Sequence, residues 1–93
     1  MKKKTYSLSY AGKKQRFARS VVVGDLIFVS GSSGRTMETG EVSPDNVKDQ
    51  MIVALDKIRG AIEEAGSSMD NIVKDVIYFK NMENYQIMRD TEL

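Results

Sequence analysis

The clearest structural pattern in this chain is F-A-R-S-V-V-V-G-D-L-I-F-V-S-G, at residues 17–31. It contains two runs rich in valine, isoleucine and phenylalanine, residues 17–23 and 26–30, with only Gly24-Asp25 between them. A connection of this kind suits the primed two-residue turns that join antiparallel strands. The stretch therefore predicts a β-hairpin.

The two-residue turn also fixes which residues lie opposite each other across the hairpin. The predicted pairs are Val23 with Leu26, Val21 with Phe28, and Arg19 with Ser30. This register predicts that Phe17, Arg19 and Ser30 share one face of the sheet.

Outward from the hairpin, the pattern before and after it predicts one more strand and a loop. Tyr6, Leu8 and Tyr10 alternate with serines, which indicates a strand that ends at a turn over 11–14. Residues 31–40 are rich in glycine, serine and threonine and have no apolar period, so they indicate a loop.

The second half of the chain predicts two helices separated by a strand. Ser43-Pro44-Asp45 is typical of a helix start, because it combines a capping hydroxyl, a proline and an acid near the positive end of the helix dipole. Apolar residues recur at helical spacing between 47 and 65, and Gly66 follows as a C-cap. A fourth strand over 73–79 and a second helix from Asn81 complete the order.

Several charged residues of the first helix fall outside its apolar face, and we expect them in solvent. They include Lys57, Glu63 and Glu64. The paired acids could suggest acid–base catalysis, but neighbouring helix positions diverge by about 100° and do not face each other. A solvated helix face is the favoured interpretation.

The predicted hairpin is apolar on both of its faces. Val21, Val22 and Val23 are consecutive, and residues 26–29 are all apolar, whereas a sheet with one wet face alternates apolar and polar residues. Two helices cover only one face. We therefore expect another subunit to cover the other face and the chain to be an obligate oligomer.

The composition excludes several kinds of chemistry. The 93-residue chain has no cysteine and no histidine, so disulfides, thiolate nucleophiles, cysteine zinc sites and Ser-His-Asp triads are excluded. With 41% hydrophobic and 29% charged residues, it is typical of one globular domain over 1–93. No stretch approaches the roughly 20 apolar residues of a membrane span, and the lack of disulfides favours a cytoplasmic location.

Positive charge is concentrated at the start of the chain. Residues 1–20 hold seven lysines and arginines and no acid, whereas residues 21–93 hold seven bases and thirteen acids. We expect residues 1–4 to form a flexible basic tail. Such an arm could contact RNA phosphates, but its aromatic residues occupy strand positions that we expect to be buried. A solubilising tail is therefore favoured over an RNA-binding arm.

The element order and three strings of residues resemble the RidA (YjgF) family. The strings are V-V-V-G-D-L-I-F-V-S-G at 21–31, D-Q-M at 49–51 and E-E-A-G-S-S-M-D-N-I-V-K at 63–74. They occur in the family's order and spacing, and the match runs in register from about Phe17 to Glu92. The combined pattern indicates the family's fold.

The resemblance implies an α+β subunit of the chorismate-mutase-like kind, with an antiparallel or mixed sheet and two helices packed on one face. It also implies a homotrimer with its sites in the clefts between subunits. The implied activity is the hydrolysis of reactive enamine and imine intermediates of 2-amino acids to keto acids and ammonia. That activity needs neither a metal nor an organic cofactor.

The resemblance also implies substrate-binding positions in this chain. The Ser-Gly that lines the family's cleft is Ser30-Gly31 here. The family's cleft tyrosine falls on Phe17, so its hydroxyl is lost, and the asparagine of the second helix falls on Arg89. Arg19, opposite Ser30, is the candidate clamp for a substrate carboxylate, because a guanidinium can bind a carboxylate through two parallel hydrogen bonds.

Family members continue into further strands that have no counterpart in these 93 residues. Those strands carry an arginine that grips the substrate carboxylate and a glutamate that positions the attacking water. We expect either that the chain is a C-terminally truncated version of a longer protein or that it lacks that site. No catalytic residue is assigned.

Three functions follow from the sequence. The first is an enamine/imine deaminase that takes a small-molecule substrate. The second is a catalytically silent member that binds a small molecule or a protein partner. The third, which is the least favoured, is an RNA-binding or ribonuclease-like protein that uses the basic arm.

Overall fold

The structure, a computed structural model, describes residues 3–42, 46–78 and 82–92. Three antiparallel strands form one sheet in the order β1-β2-β3, and two helices follow. The elements are β1 (Lys3–Tyr10), β2 (Lys13–Val23), β3 (Leu26–Val29), α1 (Val47–Glu64) and α2 (Tyr85–Glu92). This is the α+β arrangement that the sequence predicts.

The hairpin forms at the predicted place and in the predicted register. Gly24 has a φ of 58° and begins the turn between β2 and β3. The observed pairs include Val23 with Leu26 and Val21 with Phe28. Beyond the last pair, the Ser30 N–H donates to the Arg19 carbonyl oxygen at 3.1 Å. The two-residue turn therefore sets the register, as the sequence predicts.

Strand β1 is longer than the alternating residues indicate. It begins at Lys3, and Lys3 and Lys4 pair with Val23 and Val22. Residues 1–4 were expected to form a flexible tail, but the last residues of β2 offer backbone partners to Lys3 and Lys4. Since pairing satisfies backbone hydrogen-bonding groups, β1 extends to the end of its partner.

A β-bulge interrupts the pairing of β1 with β2. Tyr6 lies opposite Ser20 and Ser7 lies opposite Ala18, which leaves Arg19 with no partner residue in β1. An extra residue in one strand disrupts the alternation of faces and redirects the side chain at that position. The bulge therefore places Arg19 differently from what a regular strand would give.

Helix α1 begins at Val47, where Asn46 is the N-cap. The Asn46 side-chain oxygen accepts the Asp49 backbone N–H at 2.8 Å. The predicted start at Ser43-Pro44-Asp45 lies outside the described residues. An asparagine cap satisfies one of the free N–H groups of the first helical turn.

Helix α1 ends at Glu64, with Ala65 as its C-cap, and Gly66 terminates it close to the predicted position. This glycine has a φ of 92°, and its N–H donates to the Glu63 carbonyl oxygen at 3.0 Å. The N–H of Ser67 donates to the Ile62 carbonyl oxygen, also at 3.0 Å. These two bonds form the Schellman motif, in which a glycine at positive φ lets the chain leave the helix.

The core lies between the sheet and α1, and α2 packs against α1. Its buried apolar residues come from β1, α1 and α2; they are Leu8, Tyr10, Ala61, Ile62 and Met88. None of the helices in the described part of the chain has the length and apolar character that a membrane crossing requires.

The predicted fourth strand is wrong over the residues that the structure describes. Residues 73–78 do not form a strand, and Val73 and Tyr78 are 94% and 92% exposed. Phe79, at the end of the predicted strand, lies outside the described residues. A strand needs a hydrogen-bonded neighbour, and no described strand lies next to this segment.

The predicted loop crosses from β3 to α1 and packs closely against the first turn of the helix. A Cβ atom on Gly34 would lie 2.8 Å from Cβ and 3.1 Å from Cα of Gln50. Only a glycine therefore allows the loop to approach α1 this closely.

We predict that Gly34→Ala lowers the free energy of unfolding by about 1–3 kcal/mol, because the added methyl overlaps Gln50 and forces the loop away from α1. Urea unfolding followed by circular dichroism would measure the change. Gly31→Ala is the matched control, since no atom lies within 4 Å of a Cβ there. Equal destabilisation by both variants would contradict the close packing at Gly34.

Candidate functional site

A small cleft lies where the end of β3 meets α1, with loop 31–42 on its other side. Its polar lining comes from Tyr10, Arg19, Ser30 and Lys57, and its apolar lining includes Leu8 and Val29. Its free space is about the minimum that one water molecule needs. The cleft therefore admits a water or one small polar group.

Arg19 forms one wall of the cleft and joins β2 to α1. A guanidinium N–H of Arg19 donates to the Lys57 carbonyl oxygen at 3.2 Å. A second guanidinium nitrogen lies 3.7 Å from the Glu64 carboxylate, and the Arg19 side chain is only 19% exposed. Arg19 is therefore held against α1 rather than extended into solvent.

Gly60 makes the position of Arg19 sterically accessible. A Cβ atom on Gly60 would lie 2.5 Å from a guanidinium nitrogen of Arg19. Glycine in the middle of a helix costs roughly 0.5–1 kcal/mol relative to alanine. Here the missing side chain lets the guanidinium rest directly on the helix backbone, where it reaches a carbonyl oxygen.

Lys57 forms the floor of the cleft, although the sequence places it on the solvated face of α1. Its side chain is buried, with 9% exposure, and its Nζ donates to the Tyr10 hydroxyl at 3.0 Å. Tyr10 is itself buried, at the end of β1. The expectation that Lys57 faces solvent is therefore wrong, because β1 and loop 31–42 cover that side of the helix.

Tyr10 also fixes the loop beside the cleft. The Arg35 guanidinium lies 4.0 Å from the centre of the Tyr10 ring, and its Nε–H donates to the Gly40 carbonyl oxygen at 2.6 Å. The backbone N–H of Ala11 donates to the Met37 carbonyl oxygen at 2.8 Å. These contacts hold the loop against the end of β1.

Ser30 and Gly31 stand at the mouth of the cleft, where β3 ends. The Ser30 hydroxyl donates to the Ala18 carbonyl oxygen. This bond fixes Ser30 against β2. No atom lies within 4 Å of a Cβ on Gly31, so the space beside this glycine is open.

Of the five residues predicted to bind substrate, the structure brings three together and leaves two elsewhere. Arg19, Ser30 and Gly31 line the cleft. Phe17 is more than half exposed and borders a separate shallow depression beside Thr5 and Ser7. Arg89 lies on an exposed face of α2 and donates to the Tyr85 hydroxyl at 3.1 Å.

The positive charge of the cleft is only partly neutralised. Two cations, Arg19 and Lys57, line it, and the Glu64 carboxylate is the one acid within 4 Å of either among the described residues. In the same part of the chain, no three acidic side chains form a group that could hold a metal ion. The arrangement is suited to an anion.

The sequence patterns did not predict that Lys57 and Tyr10 line the cleft, although the residues after Lys57 contain one signal. Gly60 and Ala61 follow Lys57 by three and four residues, so two small residues lie on the same side of α1 one turn later. Small residues let another element approach the helix closely. That approach buries the lysine stem along with them.

Comparison with known proteins shows which family this chain resembles in sequence. The family model described as endoribonuclease L-PSP matches residues 10–91. A RutC family protein of Pyrococcus abyssi is 31% identical over 74 residues, which cover 80% of this chain and 58% of that protein. A 2-iminobutanoate/2-iminopropanoate deaminase of Escherichia coli K12 is 29% identical over 75 residues, which cover 81% of this chain and 58% of that protein.

Solved structures share the fold. A YjgF/YER057c/UK114 family member from Mycobacterium tuberculosis has a TM-score of 0.79 at 22% identity, over 98% of this chain and 71% of that one. The yeast protein YEO7 has a TM-score of 0.83 at 17% identity, over 98% of this chain and 73% of that one. The chain spans a little under 60% of the length of the curated relatives cited above.

We predict that Tyr10→Phe lowers the free energy of unfolding by about 2 kcal/mol, because it removes the hydroxyl that accepts a hydrogen bond from the buried Lys57 ammonium. Urea unfolding would measure this loss. Tyr78→Phe is the control, since Tyr78 is almost wholly exposed, and it should change stability by less than about 0.5 kcal/mol. A Tyr10→Phe variant as stable as the control would show that the Lys57–Tyr10 bond is unimportant.

Proposed function

The chain belongs to the endoribonuclease L-PSP family, also called the RidA or YjgF family, and we propose on this basis that it acts on reactive enamine and imine intermediates of 2-amino acids. In the proposed reaction, water adds to the C=N carbon of a 2-imino acid, the C–N bond breaks, and the products are a 2-oxo acid and ammonia. The carboxylate of the substrate is unchanged throughout.

The observation that carries this proposal is the positive charge beside Ser30-Gly31. Arg19 and Lys57 both line the cleft, and a 2-imino acid presents a carboxylate to them. The names of two relatives support the same chemistry, since both are 2-iminobutanoate/2-iminopropanoate deaminases, from Dermatophagoides farinae and from Escherichia coli.

The demands on a catalyst of this reaction are small. Imines hydrolyse readily in water, so the protein needs mainly to hold the anion and to place a water near the C=N carbon. The cleft has room for about one water, so the substrate would stand at its mouth, where the space beside Gly31 is open. Arg19 supplies positive charge and holds the turn of α1 that carries Lys57.

We expect the protein to accelerate the release of 2-oxobutanoate from 2-iminobutanoate that is generated in situ, and Arg19→Ala to lower kcat/KM at least tenfold. The substitution removes one of the two charges and frees the α1 turn that it holds. Arg59→Ala is the control, because Arg59 is exposed on the same helix and pairs only with Asp56 among the described residues. A wild-type rate equal to the spontaneous rate would contradict the proposal.

We also propose that the protein is a homotrimer whose sheets face one another. Leu26 and Phe28 are 57% and 59% exposed, and they share with Val21 and Val23 the sheet face opposite α1. An apolar sheet face of this kind marks an interface. In a trimer, the cleft of one subunit would lie near the sheet of the next.

Light scattering should give three times the mass of one chain, and two aspartate substitutions should separate the two faces of the sheet. Val21→Asp should release folded monomers, because Val21 lies on the face opposite α1. Val22→Asp should unfold the subunit, because Val22 lies on the α1 side, where a carboxylate would be buried without a partner. A wild-type protein that is monomeric at all concentrations would contradict the trimer.

A further inference from the structure

We propose that Lys57 and Tyr10 form a binding site for a monatomic anion, chloride, at the floor of the cleft. This inference is independent of the proposed function, since the substrate would stand at the mouth of the cleft and the anion lies at its floor. The observation that carries it is a buried ammonium group and a phenol hydroxyl that line a space of about one water, with no acid among the described lining residues.

The charge of Lys57 is not balanced within the described part of the chain. Lys57 is buried, and its Nζ donates to the Tyr10 hydroxyl at 3.0 Å. None of the described acids comes within 4 Å of that nitrogen. A lysine is rarely buried without an acidic partner, because removing a charge from water is costly. An anion beside the ammonium group lowers that cost.

Two more cations stand close to the same pair of residues. The Arg35 guanidinium lies 4.0 Å from the centre of the Tyr10 ring, and Arg19 donates to the Lys57 carbonyl oxygen at 3.2 Å. Of the described acids, only Glu64 lies within 4 Å of any of the three cations, at 3.7 Å from Arg19. Three positive charges therefore face one negative charge. A bound anion reduces the repulsion between them.

The site offers three hydrogen-bond donors to an anion. An ammonium group has three N–H donors, and Lys57 uses one of them on Tyr10, which leaves two. The Tyr10 hydroxyl oxygen accepts that bond, and none of the described groups accepts its own O–H, which is the third donor. Ser30 also lines the cleft, but its hydroxyl donates to the Ala18 carbonyl oxygen. The anion is therefore held by Lys57 and Tyr10.

The size and lining of the cleft select the anion. A space of about one water excludes phosphate, sulfate and carboxylates, whereas a chloride ion takes up about as much volume as one water. The apolar part of the lining includes Leu8, Val29, Met37 and Ala61. A smaller anion such as fluoride loses more hydration energy on entering such surroundings. Chloride therefore suits the cleft better than either the larger or the smaller anions.

Thermal unfolding of the wild-type protein in sodium chloride and in sodium gluconate, at equal ionic strength, tests the site. An ion that binds only the folded protein raises the melting temperature as its concentration rises, whereas the screening of surface charges depends on ionic strength alone. At about 100 mM salt we expect chloride to raise the melting temperature by at least about 3 °C more than gluconate does. An equal rise in both salts would overturn the proposal.

Three variants test the assignment of the two residues. Lys57→Met removes the charge and keeps a side chain of similar length, and Tyr10→Phe removes one donor. We expect the chloride-specific rise in melting temperature to disappear in Lys57→Met and to fall by at least half in Tyr10→Phe. Arg59→Met is the matched control, because Arg59 is exposed on the same helix, and it should keep the full rise. A full rise in Lys57→Met would overturn the assignment.

The line width of the chloride NMR signal measures binding without unfolding the protein. Exchange of chloride with the site should broaden the signal in the presence of the wild-type protein, and Lys57→Met, shown to be folded by circular dichroism, should lose most of that excess width. Sulfate is too large for the cleft, so sodium sulfate should leave the wild-type excess width unchanged. The absence of excess width, or its loss in sulfate, would overturn the proposal even if Lys57→Met does not fold. Neither measurement involves the hydrolysis of an imine, so the result does not depend on the proposed function.

Discussion

The contact of Arg19 with the backbone of α1 is the interaction on which the candidate site depends. The β-bulge in β2 redirects Arg19, and the absence of a side chain at Gly60 gives the guanidinium a place on the helix. The resulting bond to the Lys57 carbonyl oxygen joins the sheet to the helix turn that carries the buried ammonium. Sheet, helix and charged cleft are thus coupled through one side chain.

Tyr10 connects that cleft to the loop beside it. Its hydroxyl accepts from Lys57, and its ring packs against the Arg35 guanidinium. Two cations therefore meet one aromatic residue, one at its polar end and one on its face. A ring face attracts a cation through its quadrupole, so loop 31–42 and α1 are held by the same side chain. Any change in the loop is expected to reach the cleft through Tyr10.

Among the described residues, the sheet face that carries Leu26 and Phe28 exposes apolar side chains, and so does segment 72–78, where Val73 and Tyr78 are almost wholly exposed. Clustered apolar side chains on a surface mark sites of interaction. The apolar side chains lack apolar contacts in the described part of the chain. In the same way, the positive charge of the cleft is only partly balanced by acids.

Features that depend on neighbours along the chain could be predicted from the sequence. The Gly24-Asp25 turn set the hairpin register, Gly66 ended α1, and the order of elements with its short strings indicated the family and its fold. The position of Ser30-Gly31 at the end of the hairpin follows from the same local rules. The cleft could not be predicted in the same way, because its contacts join residues that are far apart in the chain. Arg19 and Lys57 are 38 positions apart, and Lys57 and Tyr10 are 47 positions apart. Helical periodicity predicted that Lys57 faces solvent, because periodicity along one helix does not show that a strand and a loop cover its polar side. The strand predicted at 73–79 is wrong over the described residues because a local sequence pattern cannot show whether a partner strand lies beside it.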